Sequence, residues 1–395
     1  MDPAGARRSR GGEGSLRSGW RLRGQRRLAP GRHPSPRPSG LSSTHSCPLF
    51  PRHKDWQPAG ETKAVRRIVA SLFLALLFVL VVLPAIIVKG CHYPDTSGAK
   101  TVTGEQPVVR VYVHAKGEIV ELPLEEYVAG VVAAEMPTSF ELEALKAQAV
   151  IARTFAVRHM RAFGGQGVAG HSDADVTTDI WAGGQAWLSR DEARSLWGAF
   201  GFYGRWQKVE QAALETAGLI VTYNGVPIEC AYHSTCGGAT ENSEDVWSEA
   251  LPYLRGVTDS WCASSPWAER ETTLSVQALE QAFGLGAGVL AAAAGQGTGY
   301  LQIVDQTPSG RAKTVRVGER QVRGLEFRRA LGLASARFTY TVSADAITFV
   351  TSGYGHGVGL CQYGAQGMAE AGKDFREIIS FYYTGVDVEP LPPGM

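Results

Sequence analysis

The stretch that organises the chain is LEEYVAGVVAAEMP, at residues 124–137. In a helix of 3.6 residues per turn, its apolar residues at i, i+4 and i+7 share one face, and Glu135 continues that stripe. Pro137 cannot continue a helix and pushes the preceding residue toward an extended conformation, so we expect Glu135 to end the helix at a cleft. A carboxyl group withdrawn from water holds its proton more tightly, as a general acid requires at neutral pH. The alternative interpretation is a structural ion pair with an arginine.

Helices and strands are predicted on both sides of this stretch. Two hairpins are expected, at residues 108–122 and around the Asn-Gly turn of residues 218–228. Apolar residues recur at helical spacing over residues 141–163, and again over 191–214, where glycines interrupt the pattern at 198–204.

The second half of the chain favours strands. Residues 266–345 hold a helical patch and then alternating segments at 301–304, 312–317 and 338–342, which predict mostly antiparallel strands. A last helix is expected at residues 366–383. The fold class is therefore α+β, a single exported domain of mixed helices and mostly antiparallel strands, preceded by one transmembrane helix.

The membrane segment is predicted at residues 68–88, which are uncharged and long enough to cross a bilayer. Lys63, Arg66 and Arg67 precede it, so the positive-inside rule keeps the N-terminus in the cytoplasm and exports the remainder. A cleaved signal peptide is the competing interpretation.

The remaining boundaries follow from composition. Residues 1–67 are rich in Arg, Gly, Pro and Ser, and predict a disordered basic tail or an over-extended translation start. A linker at 89–107 leads to the domain at 108–387, and 388–395 form a C-terminal tail. The formal net charge of +1 gives no argument for a nucleic-acid partner.

Polar groups for a ligand site come from three places. Arg153 lies on the second predicted helix, where it contacts a substrate, holds Glu135, or pairs with a structural carboxylate. A loop after the second hairpin presents His233 and Ser234. The glycine-rich stretch of residues 353–365 presents the remaining candidates, which are His356, Gln362 and Tyr363. Structural glycine turns are the alternative for that stretch.

Four of the six cysteines lie in the predicted exported domain, where disulfides are permitted and three connectivities are open. Cys230, His233 and Cys236 have the spacing of zinc ligands, but a fourth ligand is not evident. We therefore predict no metal and no cofactor.

Five motifs in order along residues 108–387 resemble the stage II sporulation protein D family, which also contains amidase-enhancer proteins. They are EEYVAGVVAAEMP, LKAQAVIARTFA, HSTCGGATE, PYLRGV and GHGVGLCQYGAQGMA. The resemblance implies a lytic transglycosylase that acts in forespore engulfment. Such an enzyme cleaves the β-1,4 bond between N-acetylmuramic acid and N-acetylglucosamine, in peptidoglycan strands that a partner amidase has stripped of peptides, and leaves a 1,6-anhydro product.

The resemblance also assigns roles to residues. Glu135 corresponds to the family's catalytic glutamate and Arg153 to an arginine of the same cleft, while His233 and His356 would orient sugars or stabilise the oxocarbenium ion. One protonated Glu135 can serve as acid and then as base, so no second carboxylate is needed. The implied partners are glycan strands, a cell-wall amidase, other engulfment proteins and the membrane, with no nucleic acid.

The sequence departs from the family at a zinc site that some members carry in the loop after the second helix. His171 and Gln185 remain, but the other ligand positions hold threonine and glycine, which makes zinc doubtful there. A disulfide between Cys236 and Cys262 is the expectation instead. The rival functions are a non-catalytic wall-binding protein that enhances an amidase, and a zinc-dependent hydrolase.

Overall fold

The structure, a computed structural model, describes residues 68, 71–74, 76–82, 106–290, 299–343 and 345–392. The chain divides into two compact units, residues 1–86 and 87–395. The first unit contains a π-helix at Phe78–Val82. Within the described ranges, no helix has the length and apolar character needed to cross a bilayer. The predicted segment at 68–88 is only partly described, and the predicted tail at 1–67 lies outside the described residues, as does nearly all of the linker.

The second unit alternates helices and short strands. Its described α-helices are α1 (Leu124–Glu135), α2 (Leu142–His159), α3 (Arg190–Glu215), α4 (Ser243–Val246), α5 (Val276–Ala282), α6 (Gly324–Leu331), α7 (Gln362–Glu370) and α8 (Phe375–Tyr382). Its described strands are β1 (Val108–Val113), β2 (Glu118–Pro123), β3 (Val176–Thr177), β4 (Leu219–Tyr223), β5 (Val226–Pro227), β6 (Tyr232–His233), β7 (Arg270–Ser275), β8 (Leu301–Gln306), β9 (Ala312–Val317), β10 (Arg320–Arg323), β11 (Phe338–Val342), β12 (Ala346–Thr351), β13 (Leu360–Cys361) and β14 (Asp387–Pro390). The mixed α and β content confirms the predicted class.

The strands form small, mostly antiparallel sheets. Their orders are β2-β1-β3, β14-β4-β5, β10-β9-β8, β11-β12-β7 and β13-β6. Two pairings are parallel, β1 with β3 and β6 with β13. The second of these places Leu360 opposite Tyr232, so two distant loops of the chain run side by side.

Helix α1 is buried along nearly its whole length, because it is enclosed by α2 and α3. Small residues on α2, such as Ala149, Ala152 and Ala156, are fully buried and allow the close approach of its neighbours. Met136 follows α1 in an extended conformation, with φ −123° and ψ 144°. The helix therefore ends at Glu135, as the proline at 137 predicts.

A second, smaller hydrophobic core lies between residues 276 and 349. Phe327 is central to it, with its ring 5.4 Å from the rings of both Phe283 and Phe338. The larger hydrophobic core contains α1, and buried side chains from residues 108–163 contribute to it.

Two predictions about the C-terminal region are wrong. The helix expected at 366–383 is two helices, α7 and α8, because Gly372 adopts a φ of 83° between them and Asp374 begins α8 with a capping box. The tail predicted from residue 388 is also too long, since β14 pairs with β4 as far as Pro390.

Candidate active site

Glu135 is the last residue of α1, and its carboxyl group is only partly accessible to solvent. Its Oε1 atom accepts a hydrogen bond from the backbone N–H of Ala186 at 2.9 Å. The hydroxyl of Tyr232, on β6, donates to the same oxygen at 3.1 Å. The carboxyl group is therefore fixed by segments that lie 51 and 97 residues further along the chain.

A chain of neutral side chains extends inward from Tyr232. The Tyr232 hydroxyl accepts a hydrogen bond from Nε2 of Gln185 at 3.1 Å, and Oε1 of Gln185 accepts one from the hydroxyl of Tyr127 at 3.1 Å. Burial keeps the pKa of both tyrosines above the usual range, so each stays protonated and able to donate. Tyr127 belongs to α1, so the chain of hydrogen bonds begins and ends on the same helix.

The segment that carries Ala186 lies unusually close to α1 at Gly130. The N–H of Leu188 donates to the carbonyl oxygen of Gly130 at 3.1 Å. A Cβ atom placed on Gly130 would lie 2.2 Å from Nε1 of Trp187, a distance no real contact allows. A glycine is therefore required here so that Ala186 can reach Glu135.

Burial raises the pKa of Glu135 above its ordinary value. Hydrogen bonds from the Ala186 backbone and from the side chains of Tyr232 and Gln362 oppose that rise by stabilising the carboxylate, but burial outweighs them. All three opposing groups are neutral. The carboxyl group thus keeps its proton to a higher pH than a glutamate in water does, and its neutral partners still hold the carboxylate once the proton has left.

Gln362 and Tyr363, both predicted to be substrate-binding, are the first residues of α7, and the side chain of Gln362 reaches the Glu135 carboxyl group. Gln362 is buried, and its Nε2 also lies 3.4 Å from Oε1 of Gln148. Tyr363 is partly exposed, with its ring packed edge-on against Phe140 at 5.0 Å. Its backbone N–H donates to the carbonyl oxygen of Ser234 at 3.0 Å, so Ser234, which is also predicted to bind substrate, lies beside the start of α7. We call the start of α7 and the adjoining strands β6 and β13 the wall of the site.

The two histidines that were predicted to bind substrate lie in or beside this wall. His233 is 4% exposed, and its Nδ1–H donates to the carbonyl oxygen of Val358 at 3.1 Å. This burial contradicts the prediction that His233 contacts a sugar. His356 is partly exposed, and its Nδ1 accepts from the N–H of Val358 at 3.1 Å. Burial, with a contribution from Arg328, lowers the pKa of His356 to about 4, so the ring is neutral at physiological pH.

Arg153 does not take part in the candidate site, which corrects the predicted substrate contact. Its side chain is fully buried and forms a bidentate ion pair with Glu125, with Nε 2.9 Å from Oε1. Its Nη2 also donates to the carbonyl oxygen of Ala213 at 2.9 Å, and its Nη1 donates to the carbonyl oxygen of Leu219 at 3.1 Å. Arg153 therefore joins α1 to the end of α3 and the start of β4.

The cysteines are arranged differently from the prediction. Cys236 and Cys262 are free thiols with their Sγ atoms 3.3 Å apart, so the expected disulfide is not formed. Cys230 and His233 do not join Cys236 in a ligand set. Instead, four buried residues place their ligand atoms within 4.8 Å of one another, a group that we call the cysteine cluster: Cys236, Asp259, Cys262 and Cys361.

The residues in the loop after α2 do not fit the zinc site of some family members. The ring of His171 stacks on Tyr112, with ring centroids 3.6 Å apart. Gln185 is used in the hydrogen-bond chain to Glu135. The loop from 164 to 185 has no cysteine and no second histidine, so it lacks the ligands of that zinc site.

The residues that sequence reasoning missed are the neutral partners of Glu135. Tyr232 stands directly before the motif residue His233, but β-strand alternation is needed to know which of the two faces the carboxyl group. Ala186 contacts Glu135 through its backbone N–H, so its side chain gives no indication of this role in the sequence. Tyr127, at eight residues before Glu135, shares its helical face and could have been selected on that spacing.

Comparisons with known proteins show which family the sequence belongs to. A model of the Stage II sporulation protein family matches residues 112–223. Stage II sporulation protein D of Bacillus amyloliquefaciens is 40% identical over 295 residues, which cover 74% of this chain and 82% of the relative. The protein of the same name from Bacillus subtilis is 37% identical over 295 residues, or 75% of this chain and 82% of the relative.

A more distant match is the amidase enhancer of Bacillus subtilis, 29% identical over 306 residues that cover 65% of this chain and 39% of that protein. The identity and coverage of the first two relatives decide the family. The chain belongs to the stage II sporulation protein D family.

Proposed function

We propose that the protein is a peptidoglycan lytic transglycosylase with Glu135 as its catalytic acid and base. The observation that carries the proposal is the environment of that carboxyl group: burial raises its pKa, and the groups that hold it are neutral. A general acid needs a raised pKa, and a group that must later act as base needs donors for its carboxylate.

In the proposed reaction, protonated Glu135 donates its proton to the oxygen of the β-1,4 bond while the bond from that oxygen to C1 of the muramyl sugar breaks. The resulting Glu135 carboxylate, held by Ala186 and Tyr232, is the anion that faces the developing oxocarbenium ion. It then removes the proton from the sugar's 6-hydroxyl as that oxygen bonds to C1. The 1,6-anhydro ring forms, Glu135 is protonated again, and no water is consumed.

This chemistry differs from that of an ordinary retaining glycosidase, which uses a second carboxylate as nucleophile about 5 Å from the acid. The groups that shift the pKa of Glu135 include no charged side chain. A single carboxyl group among neutral donors fits an intramolecular attack by the substrate's own hydroxyl.

The test uses the full chain, purified in a mild detergent, and glycan strands stripped of peptides by an amidase. Products are analysed by mass spectrometry after reaction in water enriched in heavy oxygen. We expect 1,6-anhydro products that lack heavy oxygen, and about 10³-fold less of them from Glu135→Gln. A reducing-end product that carries heavy oxygen would instead identify a hydrolase, and would overturn the proposal.

The amidase enhancer among the relatives gives the rival function a concrete form. If the chain only enhances an amidase, wild type releases no anhydro product but accelerates peptide removal by an added amidase, and Glu135→Gln does so equally. Running both assays on both proteins separates the two functions.

We further propose that the protein acts during sporulation, in engulfment, together with a wall amidase, since its relatives are named sporulation proteins. The apolar stretch at 68–88 supports a single-pass membrane anchor with a cytoplasmic N-terminus. Protease accessibility of the domain in intact protoplasts tests that orientation: full protection would contradict it.

A further inference from the structure

We propose that the cysteine cluster binds one Zn²⁺ ion, which fixes three loops of the domain to one another. Cys236 follows β6, Cys262 lies in a 3₁₀-helix at Trp261–Ser264, and Cys361 ends β13. Cys236 is 26 residues before Cys262 and 125 before Cys361, yet the Sγ atoms of all three lie within 4.8 Å of one another. The inference rests on these contacts and does not depend on the proposed function.

The cluster has the number, type and spacing of ligands that a zinc ion takes. Three sulfur atoms and one carboxylate oxygen make a four-coordinate set. Sγ of Cys236 lies 3.3 Å from Sγ of Cys262 and 3.2 Å from Oδ2 of Asp259. A tetrahedral ion with Zn–S bonds of about 2.3 Å needs sulfur atoms about 3.8 Å apart, so the sulfur atoms of Cys236 and Cys262 would separate by about 0.5 Å to bind the ion.

The carboxyl group of Asp259 gives an independent reason to expect a cation. It is 1% exposed, and none of the ion pairs of the described residues involves it. Burial of an unpaired carboxylate beside three thiols is costly, so such groups are normally paired or coordinate a metal. A divalent ion would offset two of the four negative charges that Asp259 and the three thiolates would carry.

The groups around the cluster are those that orient and stabilise metal-bound thiolates. The N–H of Gly238 donates to Sγ of Cys236 at 3.3 Å, and the N–H of Gly364 to Sγ of Cys361 at 3.3 Å. The hydroxyl of Tyr382 donates to Oδ2 of Asp259 at 2.9 Å. Such outer contacts fix the ligands in place before the ion arrives.

The choice of zinc follows from ligand chemistry. Thiolates are too soft for Ca²⁺ or Mg²⁺, which take oxygen ligands. Iron–sulfur clusters usually take four thiolates, and this group has three. All four ligands are buried protein groups, as in a structural zinc site, where no position stays open for water or substrate.

A bound ion would brace the wall that carries the candidate active-site residues. Cys361 directly precedes Gln362, and β13 pairs with the strand of Tyr232. Cys236 lies four residues after Tyr232. Binding would release the thiol protons to solvent and tie these segments together, so loss of the ion should lower stability.

The test measures the metal content of the full chain, expressed without added metal and purified in detergent, by plasma mass spectrometry. We expect about one zinc per chain, and a fall of at least about fivefold in Cys361→Ser. Replacement by Co²⁺ should give the thiolate-to-cobalt absorption and the strong visible bands of a tetrahedral site. Zinc removal by a chelator should lower the melting temperature by about 5 °C or more.

Cys230→Ser is the matched control, since Cys230 is a buried cysteine outside the cluster and its loss should leave the zinc content unchanged. If Cys361→Ser does not fold, the wild-type zinc content and cobalt spectrum still decide the matter. A wild-type chain with no metal, one equivalent of a different metal, a Cys236–Cys262 disulfide in the mass spectrum, or cobalt bands of an octahedral site would each overturn the proposal.

Discussion

Helix α1 carries a buried or half-buried glutamate near each end, and the two are treated in opposite ways. Glu125, in the first turn, is 8% exposed and is paired with the guanidinium of Arg153. Glu135, at the last position, is bound by a backbone amide and a tyrosine. One helix thus holds a carboxylate that is fully compensated and another that is left without a cation.

The difference shows how the same residue type acquires two roles. An ion pair keeps a carboxylate charged and fixes it within the fold, while neutral donors in a buried place leave it able to gain and lose a proton. The first arrangement stabilises the fold, and the second provides the proton donor that the proposed reaction needs.

The largest expected effect comes from removing the acid at the C-terminal end. Glu135→Gln should reduce product formation by about 10³-fold, the range of general acid–base catalysis.

Because the folded-state pKa of Glu135 is raised, the protein is most stable when this group is protonated and loses that stability as the pH rises through the folded-state pKa.

The glutamine variant removes that dependence. Its melting temperature should therefore exceed that of wild type by a few degrees at pH 8 and match it at pH 4. Thermal unfolding at both values measures this. A variant that melts well below wild type at both pH values would show that Glu135 serves the fold instead.

At the N-terminal end of α1, the expected effect is a loss of stability. Arg153→Met leaves Glu125 buried without its partner and should reduce the free energy of unfolding by about 3–5 kcal/mol. Urea unfolding measures the loss. Adding Glu125→Leu to this variant should recover part of it, since the unpaired charge is then removed.

Arg158 provides the matched control, because it lies on α2 like Arg153 and both side chains of its ion pair with Glu229 are exposed. Arg158→Met should change the free energy of unfolding by less than about 1 kcal/mol. Equal losses from the two arginine variants would mean that burial does not separate these pairs.

The third prediction concerns the close approach that brings Ala186 to Glu135. Gly130→Ala should push Trp187 and its segment away from α1, reduce the free energy of unfolding by about 1–3 kcal/mol and lower activity. The control is Gly204→Ala in α3, where a Cβ atom meets nothing within 4 Å, and which should stabilise by up to about 1 kcal/mol. Full activity in Gly130→Ala would show that the Ala186 contact is dispensable.

The smallest effect is expected from Tyr232→Phe, which removes one donor to the Glu135 carboxylate. The hydrogen bond lowers the pKa of Glu135, so its loss raises that pKa further and keeps the acid protonated to a higher pH. The alkaline limb of the pH–rate profile should move to higher pH, with a change in maximal rate below about tenfold. The exposed Tyr203→Phe serves as control, and a profile that moves to lower pH would contradict the assigned hydrogen bond.

Much of the local structure was determined by the sequence. The helical spacing in residues 124–137 and the proline at 137 were enough to place the end of α1 at Glu135, and Asn224-Gly225 was enough to place the second hairpin. These features depend on neighbours within a few residues, so a local pattern contains the whole cause.

Only the tertiary structure decided which groups meet. The sequence left open whether Arg153 contacts a substrate, holds Glu135 or pairs with another carboxylate. Arg153 pairs with Glu125 because α1 and α2 lie together with Glu125 facing it. Ala186 and Tyr232 lie 51 and 97 residues after Glu135, and the members of the cysteine cluster are up to 125 residues apart. Their convergence depends on long-range packing, for which a single sequence carries no periodic signal.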